Sequence, residues 1–234
     1  MPGETARLQP LYLFADSQLL FWRRHGRLLL QEALDNQAGD APSAAYIGAS
    51  NGDRQEFYEI FAGAMQAAGI SDRRRIFSSF SAKDRAFLET AQLIILSGGE
   101  VQDGWETFKR TGMKDVILER YAQGAILVGI SAGAVQLGRQ AIAETAGSFP
   151  RYLVDVFNLV GAIVDVHDER NDWARLSSII HLLEGAATGL GIPSGGGVIV
   201  HPDTTVEPLR RPAHEFRFDG TQIIHSLLCP PEDE

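Results

Sequence analysis

The stretch Ala125-Ile126-Leu127-Val128-Gly129-Ile130-Ser131-Ala132-Gly133-Ala134 decides how the rest of the chain is read. An apolar, β-prone run ends in Gly-x-Ser-x-Gly, and the helix-compatible Val135, Gln136 and Leu137 follow directly. That layout predicts a nucleophile elbow, a serine at the tip of a tight strand-to-helix turn. The flanking glycines let the backbone fold sharply without a Cβ clash, and the helix N-terminus behind Ser131 favours a developing negative charge. An ordinary βα turn with a serine cap has the same local pattern, so the neighbouring segments must decide.

Upstream of the elbow, apolar runs at 11–14, 44–47, 75–77 and 93–96 read as strands. Helical apolar spacing at 18–37, 54–68 and 82–90, and from 105 to 123 with a break near Gly112, fills the gaps between them. Strand–helix alternation with fully apolar strands predicts a doubly wound, mostly parallel α/β sheet covered on both faces. Downstream, 144–158 reads as irregular, 162–167 as a further strand and 171–185 as a helix. The last fifty residues change character: short strands near 197–201, 205–209, 215–218 and 222–228 with turns at Pro202-Asp203 and Asp219-Gly220 predict antiparallel hairpins at the sheet edge. No repeat or linker divides residues 1–234, so one domain is expected.

The bulk composition narrows the partners. A formal charge of −9 over 234 residues argues against nucleic acid or an anionic membrane surface. Arg73-Arg74-Arg75, the only basic run, is expected to be a solvated loop. The single Cys229, in a Pro-flanked tail, rules out a disulfide framework and a Cys-rich zinc site. Residues 1–10 lack a basic start and apolar core, and no run approaches the ~20 apolar residues that span a bilayer. A cytoplasmic protein is expected.

Sites in open α/β sheets gather at the carboxyl ends of strands, and three loops bring chemistry there. The elbow offers Ser131. Gly98-Gly99 follows a buried strand, and its bare N–H groups together with that of Ala132 could form an oxyanion hole, although a tight turn is the simpler use of Gly-Gly. His167 ends its strand, and it alone of six histidines has that position in the alternating part. Imidazole suits the base that a serine nucleophile needs. His201 is the rival, in a turn beside Pro202; His25, His181, His214 and His225 read as helix-surface or late-strand residues.

At these residues the chain resembles serine peptidase family S51, the family of aspartyl dipeptidase and cyanophycinase. The likeness rests on Tyr12-Leu13-Phe14-Ala15-Asp16-Ser17, Tyr46-Ile47-Gly48-Ala49-Ser50, Ser97-Gly98-Gly99, Gly129-Ile130-Ser131-Ala132-Gly133-Ala134, Asp165-Val166-His167 and Gly191-Ile192-Pro193-Ser194-Gly195. It implies a class I glutamine-amidotransferase-like layer with Ser131 as nucleophile, His167 as base, and Gly98, Gly99 and Ala132 at the oxyanion hole. The family's third triad member, a glutamate, falls on Ser194, and the residues after Gly-Gly are Glu100, Val101 and Gln102. Glu100, Gln102, Asp165, Arg170 and Arg175 are candidate substrate-binding groups.

The expected activity is hydrolysis of small peptides or isopeptides through an acyl-enzyme, with no metal or cofactor required and a homodimer left open. The alternative is a weak or inactive homologue that binds a peptide or small amide. Amidotransferase chemistry is disfavoured, because serine stands at the elbow and the cysteine is remote. With Ser194 in the acid's place, a Ser131–His167 dyad with a neutral orienter is expected. Asp168 and Glu169, on a loop, should face water; Asp165 is the other carboxylate that could have taken over.

Overall fold

The computed structural model describes residues 8–35, 42–145 and 148–231. The chain enters the core through β1 (Leu11–Phe14), buried at all four positions, and a 3-10 turn, Ser17–Phe21. A two-stranded hairpin, β2 (Arg23–Arg24) with β3 (Arg27–Leu28), leads into α1 (Leu29–Leu34). The single helix expected over 18–37 is therefore broken, and its last two positions lie outside the described residues. The breakers are His25 and Gly26, with φ of 49° and 79°, the two left-handed residues of a tight hairpin turn.

Regular alternation follows: β4 (Ser43–Ile47), α2 (Gln55–Ala67), β5 (Asp72–Ile76), α3 (Ala82–Leu88), β6 (Leu93–Leu96), α4 (Val101–Thr111), α5 (Met113–Ala122), β7 (Ile126–Ile130) and α6 (Ala132–Leu137). The arginine run is part of β5 and not a loop. It occupies an edge strand, with Arg74 bonded to the buried Asp84 at 2.9 Å and Arg75 stacked 4.1 Å over the Phe77 ring.

Beyond the elbow lies a hairpin, β8 (Gln140–Thr145) and β9 (Ser148–Asp155), where an irregular segment was expected. Next come β10 (Ala162–Val166), α7 (Ala174–Leu182) and β11 (Thr188–Ile192). No strand was expected at β11, because two glycines dilute its β-propensity. Gly191 is required there by the buried Trp173, since a Cβ would sit 2.7 Å from the indole. The chain closes with β12 (Gly197–Val200), β13 (Val206–Leu209), β14 (Ala213–Phe218) and β15 (Ile223–Leu228).

The main sheet has the order β13-β12-β1-β7-β6-β4-β5, with parallel pairing from β1 through β5 and antiparallel pairing of β12 on β1 and β13 on β12. The mostly parallel α/β layer with antiparallel late strands is thus present. The histidine strand does not join it. β10 pairs with β11 in a second sheet, β10-β11-β14-β15, so β14 and β15 extend that sheet and not the edge of the first. One buried apolar cluster runs from Leu13 and Leu127 to Val164 and Ile192, packing the two sheets together. No helix among the described residues is long and apolar enough to cross a membrane.

Candidate functional site

β7 is buried along its whole length and delivers Ser131 to the carboxyl edge of the main sheet. Ser131 has φ 51° and ψ −110°, a conformation that costs a non-glycine residue about 1–3 kcal/mol and persists only when its surroundings hold it. Its N–H donates to the Phe14 carbonyl at 2.8 Å, and its own carbonyl accepts from Val135 N–H at 3.1 Å. The two glycines of the pentapeptide serve close packing: a Cβ on Gly129 would lie 2.5 Å from the Gly133 carbonyl oxygen, and one on Gly133 2.3 Å from that of Leu96.

The Gly98-Gly99 loop leaves β6 beside the elbow. Gly99 has φ 135°, and a Cβ there would come within 2.0 Å of the Ser50 carbonyl oxygen. That carbonyl accepts the Glu100 N–H at 2.6 Å, and the buried Gln136 side chain donates to Ser50 Oγ at 3.1 Å and to the Val101 carbonyl at 2.9 Å. The loop is braced from behind, while among the described residues no acceptor meets the N–H groups of Gly99 and Ala132.

His167 reaches the same cavity from the second sheet. It sits just past β10 with φ 63°, its N–H donating to the Ile192 carbonyl at 3.3 Å. His167 Nδ1 lies 3.1 Å from Ser194 Oγ. Behind Ser194 stands Glu169, whose Oε1 accepts the Ser194 backbone N–H at 3.1 Å, while its buried Oε2 meets no hydrogen-bond partner among the described residues. Burial pushes this carboxyl up, but the Ser194 hydroxyl, nearby peptide N–H groups and His167 outweigh it, and it stands below the usual carboxylate value. The expectation that Asp168 and Glu169 face water is therefore corrected. Asp168 is buried and accepts from Asn171 Nδ2 at 2.8 Å, and Glu169 folds back onto Ser194.

A cavity of about 220 Å³ opens beside Ser131, lined also by Gly98, Gly99 and His167. The candidate substrate-binding groups do not reach it. Buried Asp165 is bonded by Arg175, with Nε to Oδ2 at 3.0 Å and Nη2 to Oδ1, which ties β10 to α7. Burial pushes the Asp165 carboxyl up, and the guanidinium pulls against it. Glu100 and Gln102 stand at the head of α4 and Arg170 is exposed; none lines the cavity. The lining instead includes Asp16, Leu20, Tyr46, Phe57 and Ile60, which sequence reading missed. A signal was there: the apolar arc of α2 is wider than its core contact needs, and Phe57 and Ile60 remain 39% and 38% exposed.

The other histidines lie in separate settings. His201 Nε2 bonds Glu207 at 3.0 Å, His214 and His225 pair across β14 and β15, His181 is on α7, and His25 belongs to the hairpin turn and not to a helix surface. Cys229 is exposed.

Fold and turn together define an α/β protein with a serine at a strand-to-helix elbow. The chain belongs to peptidase family S51, whose sequence model matches residues 22–207. It is similar to the uncharacterized peptidase YgaJ of Bacillus subtilis (strain 168), 23% identical over 118 residues, 50% of this chain and 51% of that protein. The match thus spans about half the length of that curated relative. Among solved structures it resembles a peptidase from an acI-B1 Actinobacterium, with a TM-score of 0.70 at 17% identity over 98% of this chain and 97% of the other. A protein of peptidase E type from Listeria monocytogenes EGD-e gives 0.54 at 18% identity, over 95% and 100%. At such identities these structures speak for the fold.

Proposed function

We propose that the chain is a serine-type peptidase that cleaves small peptides or isopeptides through an acyl-enzyme. Ser131 Oγ attacks the scissile carbonyl carbon as its proton passes to His167 Nε2. The Gly99 and Ala132 N–H groups donate hydrogen bonds to the oxyanion, and its collapse expels the amine, which takes the proton from His167. Water, deprotonated by the same imidazole, then hydrolyses the acyl-Ser131 ester, releasing the acid and restoring the serine.

Ser194 fixes the tautomer this requires. Its Oγ accepts from Nδ1–H at 3.1 Å, leaving Nε2 free to take the serine proton, while the Glu169 carboxylate holds the Ser194 backbone N–H. Glu169, whose carboxylate feels His167, supplies the nearby negative charge that favours imidazolium. This support behind the imidazole weakens the rival reading of an inactive binder, which drew its force from the missing triad glutamate.

The observation that supports the proposal most is the strained backbone of Ser131 on the same cavity as His167 and the braced Gly-Gly loop. A fluorophosphonate should label Ser131, and labelling should vanish in Ser131→Ala. The Ser131→Ala and His167→Ala enzymes should be about equally crippled and the double variant hardly worse. Absence of labelling at every pH where the protein is folded overturns the proposal.

A further inference from the structure

We infer that the cavity beside Ser131 takes an apolar side chain, aliphatic or aromatic, from the acyl residue of the substrate, and rejects a carboxylate. The inference rests on Ser131 being the acylated nucleophile. The leaving amine must lie by His167 to receive its proton, so the acyl residue turns towards the wall across the Gly98-Gly99 loop. That wall is built by Tyr46 from β4, by Phe57, Ile60 and Phe61 from α2, and by Leu20.

Its floor, Leu20, Tyr46 and Phe61, is nearly inaccessible to solvent, whereas Phe57 and Ile60 leave apolar surface in water at the mouth. A side chain covering these two removes more apolar area from water, the driving force for filling such a pocket. No Lys or Arg lines the cavity among the described residues. Its one acidic lining group, Asp16, accepts from Gln18 N–H at 3.0 Å and Gly195 N–H at 2.6 Å and adds negative potential. A substrate carboxylate would leave water for a lining without a cation, since Arg54, over the Phe57 ring at 5.3 Å, lies outside the lining and is bonded to Glu56. Arg170 is outside the lining.

The test is a set of dipeptides with Leu, Phe or Asp as the acyl residue and a common leaving residue. In kcat/KM, Leu and Phe should exceed Asp by on the order of 10²-fold. Calorimetric binding of the same dipeptides to Ser131→Ala should give the same ranking without turnover. Ile60→Arg, which places a cation on the wall, should move the ranking towards Asp. An Asp-first or flat ranking, in turnover or in binding to Ser131→Ala, overturns the inference even if the fluorophosphonate labels Ser131. Failure to label overturns the hydrolase proposal, while the binding ranking still decides what the cavity accepts.

Discussion

At the scale of single residues, the proposed mechanism divides between Ser194, which orients the imidazole, and Glu169, which lends it charge, a task that one carboxylate performs in a Ser-His-Asp triad. Amidating the triad aspartate of a serine protease costs about 10⁴ in kcat because the imidazole takes the wrong tautomer; Glu169, which leaves the tautomer to Ser194, should be worth roughly 10–100-fold. Glu169→Gln should lower kcat by that factor while leaving KM and the unfolding midpoint unchanged. The Glu169 carboxyl is depressed below its ordinary value of 4.5, so its contribution is present above that value and lost as pH falls through the lower folded value. The wild-type to Glu169→Gln ratio should then stay flat across neutral pH and approach unity only in acid. Ser194→Glu alone sets two carboxylates together and should not raise turnover, whereas the double variant Ser194→Glu, Glu169→Gln should exceed either single one. This partnership was not readable from the sequence. That Glu169 follows His167 by two residues is plain, but whether its side chain meets water or Ser194 depends on the loop after β11.

At the scale of elements, the elbow and the Gly-Gly loop act as one braced unit. In Gly99→Ala, a Cβ would meet the Ser50 carbonyl at 2.0 Å, and the residue would have to hold φ 135°. The loop must move, so we expect a loss of about 1–3 kcal/mol in denaturant unfolding and a sharp fall in the rate at which fluorophosphonate labels Ser131. Normal stability together with normal labelling would show that the loop is not braced as described. Most elements in this half of the chain were legible because their signals are local. β4 is apolar from Ala44 onward, β6 and β7 are apolar runs, and α3 opens with Ser81 capping the Asp84 N–H at 3.3 Å. Failures fell where local pattern misleads. Leu19 and Leu28–Leu30 keep helical spacing across a hairpin turn, and β11 forms from a glycine-rich run because its partners on both sides complete its hydrogen bonds.

At the scale of the whole molecule, Ser131 belongs to the main sheet and His167 to the second, so the site exists only while the two are docked. The loops after β1 and β11 join them at the site: Gly195 N–H donates to Asp16 Oδ2 at 2.6 Å, and Ala15 N–H to the Gly196 carbonyl at 3.0 Å. Asp16→Asn removes one carboxylate acceptor from this joint. It should cost about 1–3 kcal/mol in denaturant unfolding and slow labelling of Ser131, with the secondary structure content unchanged. Unchanged stability and labelling would show that other contacts hold the sheets. The sequence by itself determined the parallel α/β layer, the serine elbow, the Gly-Gly loop and the strand-end histidine, because each follows from residue spacing within a few positions. Tertiary structure alone decided that the histidine strand pairs in its own sheet, that Glu169 backs Ser194, that Asp165 and Arg175 neutralise each other away from the cavity, and that Phe57 and Ile60 wall it. Each of these depends on which distant segment a side chain meets, and local periodicity holds no information about that.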